Sequence, residues 1–444
     1  MAAVTPYVLL IGWAWAWMQA APVDAPSAGR VHAGATWNGE VAMIIQRRCV
    51  SCHRTGGAAP FPLDQHGSVA NRATFLGDVV ESGRMPPWLP SHDGFRGDRG
   101  LSAEEASTLR AWIKAGAPVG EGDPVRLSTA RSLPVGRGDR ITLAMPNAGV
   151  IPEESDVAWH AGELDQIGTT LPVGNEKVLR VQAIRQVTAA PQAMRVTSLV
   201  FDTTGAGRYL DDRDSRVGFL MAADAGARPS GVDGVLLGGD AELRWPRGFH
   251  TEVGSRADLV AEVHYRPTGR PERFQERFEL ELVSAEASSR PLRWFPLGVF
   301  RVVIPVGTQE RIETPVELVP VDLDLVGLSI RALEVCVAIE VVARPPGGEE
   351  LVLLAIDDWD HHQRETYVLE RPRRLPRGTE LVARFSVDNT AANPRNPDDP
   401  PVDIRRGRRT GILLAMLHVA AVADAGDREI KGYGEGWVRR QGRR

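Results

Sequence analysis

Beyond about residue 140 the chain reads as one short strand after another, and that pattern limits it to a layered β architecture. A first set comprises Val178–Val181, Val196–Phe201, Leu259–Tyr265 and Phe278–Val283. A second comprises Val302–Pro305, Val316–Val319, Leu323–Leu328, Val335–Val342, Leu351–Ile356, Thr379–Val387 and Gly411–Val419. The runs alternate or are β-branched, and turn residues separate them. With 45 Gly and 32 Pro in 444 residues, punctuation is frequent, as in sandwiches and jelly rolls. About 300 residues of this kind suffice for two domains on the usual length prior.

The segment before it has a different rhythm. Residues 31–122 are predicted helical, with Asn38 as a cap and Val41, Ile44 and Ile45 on one face. Ser102-Ala103-Glu104-Glu105 is a capping box ahead of Leu109, Trp112 and Ile113, a helix expected to pack across the first, and Gly116 stops it. Between them lies Cys49-Val50-Ser51-Cys52-His53. C-x-x-C-H is the spacing for attaching a c-type haem: two thiols bond to the porphyrin and the histidine binds the iron. A redox dithiol would want a βαβ context and a zinc site a second pair of ligands. The one other cysteine, Cys336, is distant and reads as a buried small apolar residue. Cys49, Cys52 and His53 are thus the candidate cofactor-binding residues. Met85, in Arg84-Met85-Pro86-Pro87-Trp88, is the candidate second iron ligand, because the prolines stiffen its loop. His66 and His92 are its rivals.

Val4–Met18 is an apolar run of a length suited to an export signal, ending in Gln19-Ala20-Ala21-Pro22. An uncleaved anchor is the alternative. Export to the periplasm or cell surface fits haem attachment, and no membrane span is expected in the mature chain. Three cysteines exclude a disulfide framework, and a net charge of -5 leaves no footprint for nucleic acid. The expected organisation is a signal peptide over 1–21, a small all-α cytochrome c domain over 31–122 and a linker over 123–139. Two all-β, jelly-roll-like sandwich domains over 140–295 and 296–425 and a basic tail over 426–444 follow.

Cys49–Phe61 and Met85-Pro86-Pro87-Trp88 resemble the cytochrome c module of exported bacterial proteins in which it precedes a copper type II, ascorbate-dependent monooxygenase-like region. Glu262–Gly269, Ile304–Gly307, Leu375–Thr379 and above all Asp388–Pro397 are similar to that second region, which in turn resembles peptidylglycine α-hydroxylating and dopamine β-monooxygenases. The resemblance covers nearly all of the mature chain. It implies two stacked β-sandwiches and two coppers, and it also shows where this chain departs. His264 matches one ligand of the first copper, but the adjacent pair falls at Thr197 and Ser198. The His-x-His of the second copper falls at Arg331-Ala332-Leu333, and its methionine near Leu414, with Met416 two residues on. Copper wants imidazole or thioether donors, so copper binding is doubtful and His264 is a residual position. Asp357-Asp358-Trp359-Asp360-His361-His362 is a candidate replacement metal site, in which strand alternation would bring Asp358, Asp360 and His362 together; the alternative is a solvated charged loop. His250 and His160 are unassigned.

Two functions follow as expectations. The first is an exported c-type cytochrome that passes electrons to a redox partner protein, with a degenerate copper-monooxygenase-like scaffold that binds a partner or ligand. The second is a haem- and copper-dependent monooxygenase that hydroxylates carbon with O2.

Overall fold

The computed structural model describes residues 34–128, 138–151, 166–215, 217–220, 234–238, 241–300, 302–405 and 412–442. The expected leader, His160 and most of the expected linker lie outside them.

Strand dominates: about 38% of the described residues are strand and 18% helical. A nine-stranded sheet runs through Arg140–Ala144, Glu276–Leu282, Leu179–Thr188, Phe249–Val253, Arg290–Phe300, Ile412–Ala421, Leu323–Arg331 and Thr366–Leu375, with Glu242–Arg244 alongside Leu179–Thr188. Its neighbours are antiparallel except where Phe249–Val253 meets Arg290–Phe300 in parallel. Against its first half lies a five-stranded sheet that includes Gln166–Pro172, Asp258–Tyr265 and Met194–Asp202. Against its second half lies another, with Gln309–Glu313, Glu380–Asp388, Cys336–Arg344 and Leu351–Ile356 on its main path.

The apolar alternation explains these layers. Glu380–Asp388 buries every second residue and faces the rest to solvent or partial cover. Leu323–Arg331 is different, buried at every position but its last. Leu325 and Leu328 enter one core while Val326 enters the other, with a register shift between Leu325 and Gly327. A strand covered on both faces reads as continuous apolar sequence.

The expectation of a small all-α cytochrome c domain followed by two sandwiches is therefore corrected. No self-contained all-α domain is present among the described residues, and the two β halves share one continuous sheet. In the N-terminal region the α-helices are short: α1 (Ala42–Arg48), α2 (His66–Ala70), α3 (Ala73–Glu81) and α4 (Ala103–Lys114). They enclose a small apolar core around Trp37, Ile45, Leu109 and Trp112, but residues 88–99 leave it and join the β-body. Phe95, 1% exposed, belongs to the core of the second half. It forms a bridge with Leu369, while the Ser91 and Arg96 amides donate to Ala355 and Val368 at 2.8 and 2.7 Å. Trp88 meets Tyr367 edge-on at 5.8 Å and carries Arg99 over its ring at 4.9 Å; Arg99 is ion-paired to Glu365.

The chain's closing segment, expected as a tail, is helical over Asp424–Gly442. Tyr433 stacks on Phe295 at 4.3 Å, and Trp437 meets Trp294. Among the described residues no helix is long and apolar enough to cross a membrane.

Candidate functional site

α1 delivers the cysteine pair as the sequence predicts, with Ile44 and Ile45 on its buried side and Val41 buried in the turn just before it. Thr36, not Asn38, is the cap, and it caps the π-helical turn Trp37–Val41 that leads into α1. The Asn38 amide donates to the Glu121 and Asp123 carbonyls and its oxygen accepts from Val125, so it ties the two ends of the segment together. The Ser102 capping box is present, and its Glu105 also pairs with Arg47 and Arg48. α4 crosses the first turn through Trp112 and Trp37, 6.2 Å apart.

At the end of α1 the chain makes one tight turn. The Cys52 and His53 amides donate to the Cys49 carbonyl at 3.2 and 2.9 Å. Neither Cys49 nor Cys52 is in a disulfide. Burial, and then Cys52 beside it, pushes the Cys49 thiol up to about 12. A redox dithiol needs the opposite shift. Gly57 closes the turn, because a Cβ there would lie 2.2 Å from the Cys52 carbonyl oxygen.

The His53 ring is fixed by its Nδ1, 3.0 Å from the Phe61 carbonyl oxygen. A carbonyl accepts only, so Nδ1 carries the proton and Nε2 presents a lone pair. Burial lowers the His53 pKa and favours the neutral, ligating form. The ring lies 5.0 Å from Phe61, which meets Phe75 at 6.4 Å and carries Arg72 over its face at 4.6 Å. A cavity of about 490 Å³ opens between Phe61 and the Ala70–Phe75 stretch. Phe75 is 55% exposed although large and apolar.

These residues fit a covalent haem. Two thiols and an imidazole with its Nε2 unprotonated lie on one turn, next to a cavity with aromatic walls and an arginine at Phe61. Met85 follows α3, is 39% exposed, and is held by its amide on the Val79 carbonyl. Its two rivals are engaged elsewhere. His66 Nε2 lies 2.8 Å from the Ala117 carbonyl oxygen, and its ring packs on Trp37 and Trp112. His92 packs on Phe95, in the arm that joins the β-body.

A second polar cluster lies in the seam between the β halves. His264 on Asp258–Tyr265 is buried, with Glu262 Oε1 3.5 Å from its Nε2. Arg364 Nη2 lies 3.4 Å from its Nδ1. His361, on the short 3-10 turn His361–Gln363, has its ring 6.4 Å from His264 and its Nδ1 2.9 Å from the Ala332 carbonyl oxygen. Arg331 is hydrogen-bonded to Ser198, so two positions aligned with copper ligands hold each other directly. Burial first, then Arg364 and Arg331, pull His264 down to about 4 against Glu262. Two guanidiniums stand where a cation would have to bind, so these donors do not fit copper. Among the described residues no three His, Cys, Asp or Glu side chains are grouped to hold a metal ion.

The candidate metal site, in which Asp358, Asp360 and His362 would converge, does not form; of the two readings, the segment takes that of a charged loop. The segment turns instead of extending: Asp360 caps the 3-10 turn by accepting from the His362 amide, and Asp358 pairs with Arg395. His361 and Arg364 are the members that reach His264, and nothing in the local sequence marks that contact. Leu414 and Met416 pack with Trp294 and Trp437. His250 is buried against Ser289. Cys336 is buried, as expected.

No family model matches the chain, and no curated protein does. Solved structures give weak likenesses. The major capsid protein P2 of bacteriophage PM2 is 9% identical, with 64% of this chain and 99% of that one covered and a TM-score of 0.25. The VP2 subviral particle protein of infectious bursal disease virus is 7% identical, with 66% and 74% covered and a TM-score of 0.20. A two-domain protein of unknown function from Bacteroides fragilis is 7% identical, with 57% and 84% covered and a TM-score of 0.17. Likeness at this level supports no argument about function.

Proposed function

We propose that this protein is an exported c-type cytochrome with one covalent haem on Cys49, Cys52 and His53, passing single electrons to a redox partner. The observation that carries the reading is the His53 ring: its Nδ1 is committed to the Phe61 carbonyl, so Nε2 is left as a ligand beside the two cysteines. Bound there, the haem supplies one-electron chemistry at its iron. The chain's own residues do the rest. The Cys49–Cys52 turn anchors, the Phe61 carbonyl orients the imidazole, and Phe61 and Phe75 exclude water from one side. Met85 is the proposed second ligand, on the loop that leads to Trp88 and the β-body.

The copper-dependent hydroxylase reading has less support, since Arg331 and Arg364 crowd its one remaining imidazole. The β-body is instead proposed to carry a partner or ligand surface. Metal analysis of the exported protein tests both readings. Iron near one per chain, resistant to acid–acetone extraction and lost in Cys52→Ala, supports the cytochrome; freely extracted haem, or none, refutes it. Two coppers per chain would restore the hydroxylase. Met85→Ala should shift the spectrum and lower the midpoint potential; no change in either would assign the second ligand elsewhere.

A further inference from the structure

The seam between the β halves holds two guanidiniums that have no carboxylate in ion-pair contact among the described residues. Arg364 is 7% exposed. Its Nη2 rests against the His264 ring, and its Nε, closed off from solvent, has no hydrogen-bond partner among the described residues. Arg331, half-buried nearby, makes a single side-chain hydrogen bond among the described residues, from Nη2 to Ser198. Among the described residues neither guanidinium has a carboxylate oxygen within 4.0 Å. The nearby carboxylates face other groups: Glu262 lies 3.5 Å from His264 Nε2, and Glu334 lies 3.9 Å from His361 Nε2.

Buried charges in proteins are paired or bound, because an isolated one forfeits its hydration without return. Here two like charges also repel. Burial first, then Arg331, brings Arg364 down to about 10. Glu262 and Glu334 act on Arg364 only through space, beyond ion-pair contact. Arg266, just past the His264 strand and exposed, adds solvent-facing positive charge beside His362. The missing element is an acceptor, and a guanidinium's planar fork suits oxygen anions.

We propose that this seam binds a small oxyanion, a carboxylate or a phosphate, between Arg364 and Arg331. Arg364 supplies its unused Nε–H and Arg331 its free N–H groups, while His264 and Ser198 hold the two side chains in place. The site does not depend on the haem, so its success or failure leaves the cytochrome reading untouched.

Calorimetric titration of the full chain tests it, with inorganic phosphate and sodium acetate as separate probes and ionic strength held constant with sodium chloride. Saturable binding of either probe, absent with chloride, is expected. A response to phosphate alone identifies a tetrahedral anion and one to acetate alone a carboxylate; both support the site. Arg364→Gln should weaken binding about tenfold or more, the loss expected for a charged hydrogen bond. Arg331→Gln, at a half-buried position, should do likewise and serves if Arg364→Gln does not fold. No saturable binding beyond the chloride control overturns the proposal. Binding unchanged in a folded variant also overturns it, as it marks an adventitious ion only.

Discussion

His418 is buried in the shared sheet, its Nε2 2.8 Å from Ser329 Oγ and its ring 5.1 Å from Trp245. Burial pulls its pKa from 6.5 to about 4. In the unfolded chain it takes up a proton as pH drops below 6.5, while the folded chain refuses one until about 4. Its contribution is therefore full above 6.5 and is lost as pH falls through that window, at about 1.4 kcal/mol per pH unit. His250, pulled to about 4 by burial and then Arg180, acts with the same sign. Urea midpoints at about pH 7 and about pH 5 should drop markedly in the wild type. His418→Asn should reduce the drop by roughly 2 kcal/mol; an equal drop in both would refute the assignment. At Gly57 the expectation concerns loading of the proposed haem. Ala there drives a Cβ into the Cys52 carbonyl, so haem staining per milligram should fall well below wild type while the β-body stays folded. Both C-x-x-C-H and the capping box were legible in the sequence because their partners lie within a few residues. Arg364 against His264 was not, because the contact spans 100 residues and neither residue's neighbours announce it.

At the scale of elements, the arm of residues 88–99 decides how the N-terminal segment is mounted. Phe95 fills a place in the second β core, so Phe95→Ala should cost about 3–5 kcal/mol. Chemical denaturation followed by tryptophan fluorescence measures this. A change below about 1 kcal/mol, within the range of ordinary surface substitutions, would mean that the arm only rests on the sheet. Residues 31–122 are predicted helical as a stretch that includes the arm, but the helices stop on either side of it, where Pro86, Pro87 and Pro90 cannot continue one. In the Asp357–His362 segment alternation does not bring the candidate ligands together: residues two apart share a face only in an extended strand, and this stretch turns at Asp360. Strand existence was easier to see than strand partnership. Leu323–Leu328 is apolar enough to mark a strand, yet nothing in it names Ile412–Ala421 and Thr366–Leu375 as its neighbours.

For the whole molecule, the shared sheet makes the two β halves one cooperative unit. Arg290–Phe300 pairs with Phe249–Val253 on one side and with Ile412–Ala421 on the other, so opening either half strips the other of a neighbour. Calorimetry should show a single transition for the β-body, coincident by far-UV dichroism and tryptophan fluorescence. Two separated β transitions would show that the halves melt independently.

The bridge between Phe95 and Leu369 also sets a sequence of events. On the proposed export, the chain would emerge N-terminus first, and Cys49 and Cys52 would appear long before the strand Thr366–Leu375 that receives the arm. Until then residues 88–99 have nowhere to dock, and the region around the cysteines lacks its mounting on the β-body. On the proposed reading, an enzyme bonding a porphyrin to those thiols would meet an unfinished, open substrate, and the arrival of Thr366–Leu375 would shut it.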